Sequence, residues 1–145
     1  MNYQAKPLQK HEMALIQQEP ACQGRVIKSY RMMLDFYGWK LDNEETGAVS
    51  RTDNYRHRFS NLSHSSHNWL RVTRILKSLG ELGFEHYKLP WLMAICNEVF
   101  VTKELANCQR SLVSYWAWTL RREEDQKALQ TEIGKYYQIP EADEL

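Results

Sequence analysis

The chain has 145 residues, enough for one domain with a real core. Apolar residues make up 43% and charged residues 26%, and 19 Lys and Arg against 18 Asp and Glu leave a net charge of +1. That balance is ordinary for a soluble globular protein and excludes a general electrostatic pull toward nucleic acid or anionic membrane.

The N-terminal "MNYQAKPLQKHE" has no apolar run and is not a signal peptide. Helical periodicity then runs almost throughout, interrupted by glycines and prolines, with no lasting strand alternation. A first helix is predicted over roughly Gln9 to Gln18, stopping before Pro20. A second runs from about Cys22 to Tyr37 and ends at Gly38. Val26, Ile27, Tyr30, Met33, Leu34 and Tyr37 share one of its faces, and Met32 and Phe36 stand one turn apart on another. "KLDNEETGAVSRTDN" is polar, with Gly47 placed for a turn, and Thr52 or Asp53 is expected to cap a short helix from Tyr55 to Phe59.

The next helix is predicted from Ser65 or Ser66 to about Leu82, where Gly83 ends it. Pro90 suits the first turn of a following helix that reaches about Val101, another spans roughly Gln109 to Arg122, and the last runs from about Glu123 to Tyr137, before Pro140. The helices around Trp91–Phe100 and Leu112–Leu120 are apolar nearly all round, as central helices are. The expected fold is all-α: one domain over 1–145, a compact bundle of about six or seven helices around these two. The longest apolar run, "LPWLMAICNEVFV", contains a Glu and is too short to span a bilayer. Cys22, Cys96 and Cys108 cannot all pair and form no C-x-x-C, so a reduced, intracellular protein is expected, and the sequon Asn61-Leu62-Ser63 is expected to stay unglycosylated.

Chemistry-bearing residues gather in "NLSHSSHNWLRVTRILKSLGELGFEH". His64 and His67 have a ligand-pair spacing, but no acid or cysteine beside them completes a metal shell. There is no G-x-S-x-G, no H-E-x-x-H and no activated cysteine, so neither an enzyme nor a cofactor is expected. With His67 at zero, Val72, Ile75, Leu76, Leu79 and Leu82 fall in an arc of roughly 140°. His67, Arg71, Arg74 and Ser78 lie opposite, beside Glu81. The stripe is either a solvated face, with Arg74 and Lys77 weakly pairing with Glu81, or part of an anion pocket formed with Arg56 and Arg58. Glu81 and Glu85 are expected to form an exposed acidic spot, and Asn68, on the apolar side, to bond a neighbouring loop.

"SYRMMLDFYGWKLDNEETGAVSRTDNYRHRFSNL" and "SHNWLRVTRILKSLGELGFEHY" together resemble the conserved region of the opioid growth factor receptor family, over roughly residues 1 to 137 and less closely after Arg122. The resemblance implies a non-catalytic, cofactor-free intracellular protein of the nucleus and nuclear envelope, binding Met-enkephalin and restraining cell growth. The family region is expected to begin further upstream, with a tryptophan-rich helix, and to be followed by a charged, Pro-rich tail. A missing helix of that kind would leave an apolar groove near Trp39 or Met32 and Phe36. Binding such a peptide needs an acid for its amine, aromatic rings for Tyr and Phe, and a base for its carboxylate. Tyr55, Arg56, His67, Trp69, Arg71, Arg74, Glu81 and Glu85 are the candidate peptide-binding residues. The alternative is a helical scaffold for a partner protein, with no small ligand.

Overall fold

A computed structural model describes residues 2–138. Helix α1 spans Lys10–Gln18 and α2 Pro20–Tyr37, with Pro20 in its first turn. Gly38 ends α2 at φ 100°, a left-handed conformation that glycine adopts without a steric penalty. The chain then forms a short antiparallel hairpin, β1 Trp39–Leu41 and β2 Val49–Arg51, paired Trp39 to Arg51 and Leu41 to Val49. No strand was expected here. Three residues per strand are too few for alternation to register, and this hairpin is held by tertiary contacts instead. Trp39 is 1% exposed, and its ring lies 4.5 Å from Phe59 and 6.0 Å from Trp91.

Helix α3 runs Tyr55–His64, a turn longer than predicted, and α4 runs His67–Glu81. Neither start carries a side-chain cap: Asn54, rather than Thr52 or Asp53, precedes α3, and Ser66 precedes α4 without bonding it. Helix α5 spans Lys88–Phe100 and is central, burying Trp91, Leu92, Ile95, Cys96 and Val99. The segment expected as one helix from Gln109 to Arg122 is instead α6 Gln109–Ser111, a π-helical turn Leu112–Trp116 and a 3-10 turn Ala117–Thr119. It covers the core with Leu112, Trp116 and Leu120 and leaves Tyr115 and Trp118 exposed. Helix α7 is Glu123–Gly134, shorter than predicted, and Pro140 lies outside the described residues. Among the described residues no helix is long and apolar enough to cross a membrane.

Among the described residues, two ion pairs have a buried member. Glu98, 2% exposed on α5, takes Arg51 of β2 in a two-pronged contact at 2.6 and 2.8 Å, and the same guanidinium lies 4.2 Å from the Tyr55 ring centre. Lys88 is fully buried; its Nζ donates to the Thr119 carbonyl at 2.7 Å and meets the Glu85 carboxylate at 2.7 Å. Burial pushes the Lys88 pKa below the ordinary lysine value, and Glu85 opposes that shift. Gly80 makes room for this arrangement, since a Cβ there would stand 2.7 Å from Nζ and 2.8 Å from Glu85 Oε1.

Removing one partner of a buried pair strands the other. Glu85→Gln is expected to lower unfolding free energy by about 3 kcal/mol in a denaturant titration, whereas Glu81→Gln, whose partner Arg121 is half exposed, changes it by less than about 1 kcal/mol. The Tyr30 hydroxyl is buried and finds no hydrogen-bond partner among the described residues. Tyr30→Phe removes it and is expected to stabilise the protein by about 1 kcal/mol in the same titration. Cys96 and Cys108 are fully buried, their thiols pushed up to about 11 and about 12, while Cys22 is half-buried. A thiol reagent at mildly alkaline pH is therefore expected to label Cys22 alone in the folded chain and all three cysteines after unfolding.

Candidate functional site

Helix α4 buries Val72, Leu76 and Leu79 and turns His67, Arg71, Arg74 and Ser78 to solvent, as its periodicity predicted. Asn68 is 1% exposed, but its partner is another helix: Oδ1 accepts from the Tyr37 hydroxyl at 3.2 Å, with Arg71 Nη1 at 3.5 Å on the same oxygen. Burial raises the Tyr37 phenol and Arg71 opposes it. Trp69 is half-buried and largely structural, donating its indole N–H to the Leu62 carbonyl at 2.9 Å and accepting the Trp116 indole on its own carbonyl at 3.1 Å.

The glutamates depart from expectation. Glu81 meets Arg121 at 2.5 Å, and neither Arg74 nor Lys77 pairs with it among the described residues. Glu85 is not an exposed acid, because the turn through Gly83 takes it off the α4 axis and beneath Lys88. Its other oxygen accepts the Arg121 backbone N–H at 3.0 Å. The lysine that neutralises Glu85 belongs to the following helix, and Arg121 arrives from 36 residues away, beyond what local spacing shows.

Tyr55 and Arg56 belong to a different neighbourhood. The Tyr55 ring packs edge-on against Phe59 at 5.3 Å and lies under Arg51, with Arg56 at 5.6 Å from its centre. Among the described residues no hydrogen bond or ion pair links them to the α4 stripe. Arg58 packs beside the Gly38 turn, so the four arginines do not assemble as one pocket.

What stands beside the stripe is a cleft. Helices α2 and α4 run antiparallel, joined at one end by Tyr37 and Asn68 and at the other by Gln23, whose Nε2 donates to the Leu82 carbonyl at 3.1 Å. Between these ties an opening of about 330 Å³ has Val26, Tyr30 and Met33 on one wall and Ile75, Leu79 and Leu82 on the other. Ser78 belongs to both stripe and cleft, and Ile75 lies one turn beyond Arg71. Helix α1 closes one end with Ile16, fastened by Gln17 Nε2 to the Glu81 carbonyl at 2.7 Å. Arg25, Ser29 and half-buried Cys22 complete the lining. Sequence reasoning passed over Arg25 and Cys22; the signal was the breadth of the α2 apolar face, wider than one neighbour fills. The expected exposure near Trp39 is absent, but Met32 and Phe36 are 63% and 37% exposed. A smaller hollow of about 250 Å³ lies between Trp118 and α7, lined also by Gln126 and Gln130.

An apolar trough flanked by unpaired guanidinium groups suits recognition of an amphipathic ligand. Comparison with known proteins places the chain in a family. The opioid growth factor receptor (OGFr) conserved region matches residues 1–142. The human opioid growth factor receptor is 42% identical over 121 residues, 83% of this chain and 18% of its own length. The mouse opioid growth factor receptor-like protein 1 is 38% identical over 137 residues, 94% of this chain and 29% of its own length. The Xenopus tropicalis protein of that name is 37% identical over 141 residues, 97% of this chain and 27% of its own. The chain thus spans less than a third of each of these relatives. No solved structure matches it. On the family match and these identities, the chain belongs to the opioid growth factor receptor family.

Proposed function

We propose that this chain is the ligand-binding domain of an opioid growth factor receptor-like protein: non-catalytic, taking an opioid-type peptide such as Met-enkephalin, and acting in growth regulation from a nuclear or perinuclear position. The observation that carries the reading is the apolar cleft beside the arginine stripe of α4. Arg71 and Glu81 stand ten residues apart on one helix face, roughly 15 Å at the helical rise. A five-residue peptide extended along α4 is about 17 Å long. Its carboxylate would then reach Arg71 or Arg74, its amine Glu81, and its rings the cleft or the exposed edge of Trp69, with His67 at the margin. Tyr55, Arg56 and Glu85 already serve the contacts described above and would support this arrangement from outside. The alternative, a helical scaffold for a partner protein without a small ligand, is favoured by the open, two-helix shape of the same cleft.

Calorimetry with Met-enkephalin tests the first reading. Binding is expected, and the Arg71→Glu, Arg74→Glu double variant is expected to weaken it about tenfold or more. An absence of heat at millimolar peptide, with the helical circular dichroism intact, overturns it.

A further inference from the structure

We propose that the α2–α4 cleft is a groove for an acidic, amphipathic helical segment of a partner protein. Its floor is apolar over two turns of each wall, from Val26 to Met33 and from Ile75 to Leu82, about 10 Å of helix on either side. That length matches three or four anchors of an incoming helix at i, i+3, i+4 and i+7. The apolar surface continues beyond Met33, because Phe36 stands two turns after Ser29 on the same side of α2. The ties at the two ends fix the two walls to each other on either side of the trough.

Charge selects the occupant. Arg25 lines the α2 wall toward the α1 end, and Arg71 and Arg74 stand outside the lining, on the adjoining exposed stripe of α4 just before Ile75. Among the described residues none of the three forms an ion pair. The nearby acids are engaged: Glu81 with Arg121, Glu19 with the first turn of α2, and Glu12 with the first turn of α1. A cation on one wall and two more on the rim beyond the other suit acidic residues on both flanks of one apolar helix face. The chain itself shows that this end accepts a helix. Helix α1 has no buried residue, yet it lies across the trough through Ile16 and two glutamine bonds, Gln17 to Glu81 and Gln23 to the Ile16 carbonyl at 3.1 Å.

The inference shares the cleft with the enkephalin reading but does not rest on it, because it turns on Arg25, which that reading does not use. The test is fluorescence anisotropy with the whole chain and a labelled synthetic helix of about 18 residues. One apolar leucine face is flanked by glutamates, and the control peptide carries lysines in their place. The acidic helix is expected to bind at least about tenfold more tightly than the control. Arg25→Glu, at an exposed residue, is expected to remove most of that difference without changing the circular dichroism. Bound peptide is also expected to slow maleimide reaction at Cys22, which lines the groove, about tenfold. Equal binding of the two peptides, no binding of either, or binding that leaves Cys22 as reactive as before overturns the proposal. Met-enkephalin added to the unaltered chain separates the readings: its failure to bind where the acidic helix binds counts against the peptide reading alone.

Discussion

Lys88 places its ammonium where water does not reach, between the Glu85 carboxylate and the Thr119 carbonyl, and the position of α4 follows from that contact. A buried ammonium has few tolerable surroundings, because its desolvation is offset only when counter-charge and hydrogen bonds meet it at close range. Glu85 must therefore turn inward after α4, and the 117–119 turn must bring a carbonyl over the first residue of α5. Gly80 lets both come within van der Waals distance of α4. Arg121 then lies beside Glu81 and Glu85 as a consequence. The start of α5 and the 117–121 turn are thereby fixed against the C-terminal half of α4, with its outer face left to solvent.

The opposite side of α4 is governed by separation. The rings of Tyr30, Tyr87, Trp91 and Trp39 form a continuous array under α2, at centroid distances of 5.4 to 6.0 Å. Large rings at this level seat α2 on α5, and Tyr37 and Gln23 bind it to the two ends of α4. Between these ties Val26 and Met33 on one side and Ile75 on the other pack against the core but stay only partly buried, and they line the opening. The cleft is the remainder of this geometry, bounded at its ends by the Tyr37–Asn68 and Gln23–Leu82 bonds.

The helices and the amphipathic division of α4 were legible because both depend on neighbours three and four residues away. Val72, Leu76 and Leu79 are inside and Arg71 and Arg74 outside, as spacing alone indicates. The hairpin was not legible, since Trp39 and Leu41 are held by Phe59 and Trp91 rather than by any strand pattern. Capping failed for a similar reason: Ser66 had the right chemistry, but α4 is anchored by Asn68 and Trp69, so its first turn does not require a serine cap. The break after Ser111 was hidden by a uniformly apolar sequence, which supports a wide helical turn as readily as an α-helix. For the candidate site, spacing found the stripe and missed the cleft, because half the cleft belongs to α2 and no local pattern pairs α2 with α4.

The stripe and the end of the groove meet at one buried acceptor. Arg71 shares the Asn68 oxygen with Tyr37, and Tyr37 is the last residue of α2. A ligand that enters the groove and presses its walls apart works against the Tyr37–Asn68 bond, which is buried and cannot exchange that partner for water. Arg71, at 3.5 Å from the same oxygen, is the weaker of its two donors, so the tie between the helices rests on Tyr37 and the guanidinium stays available on the stripe.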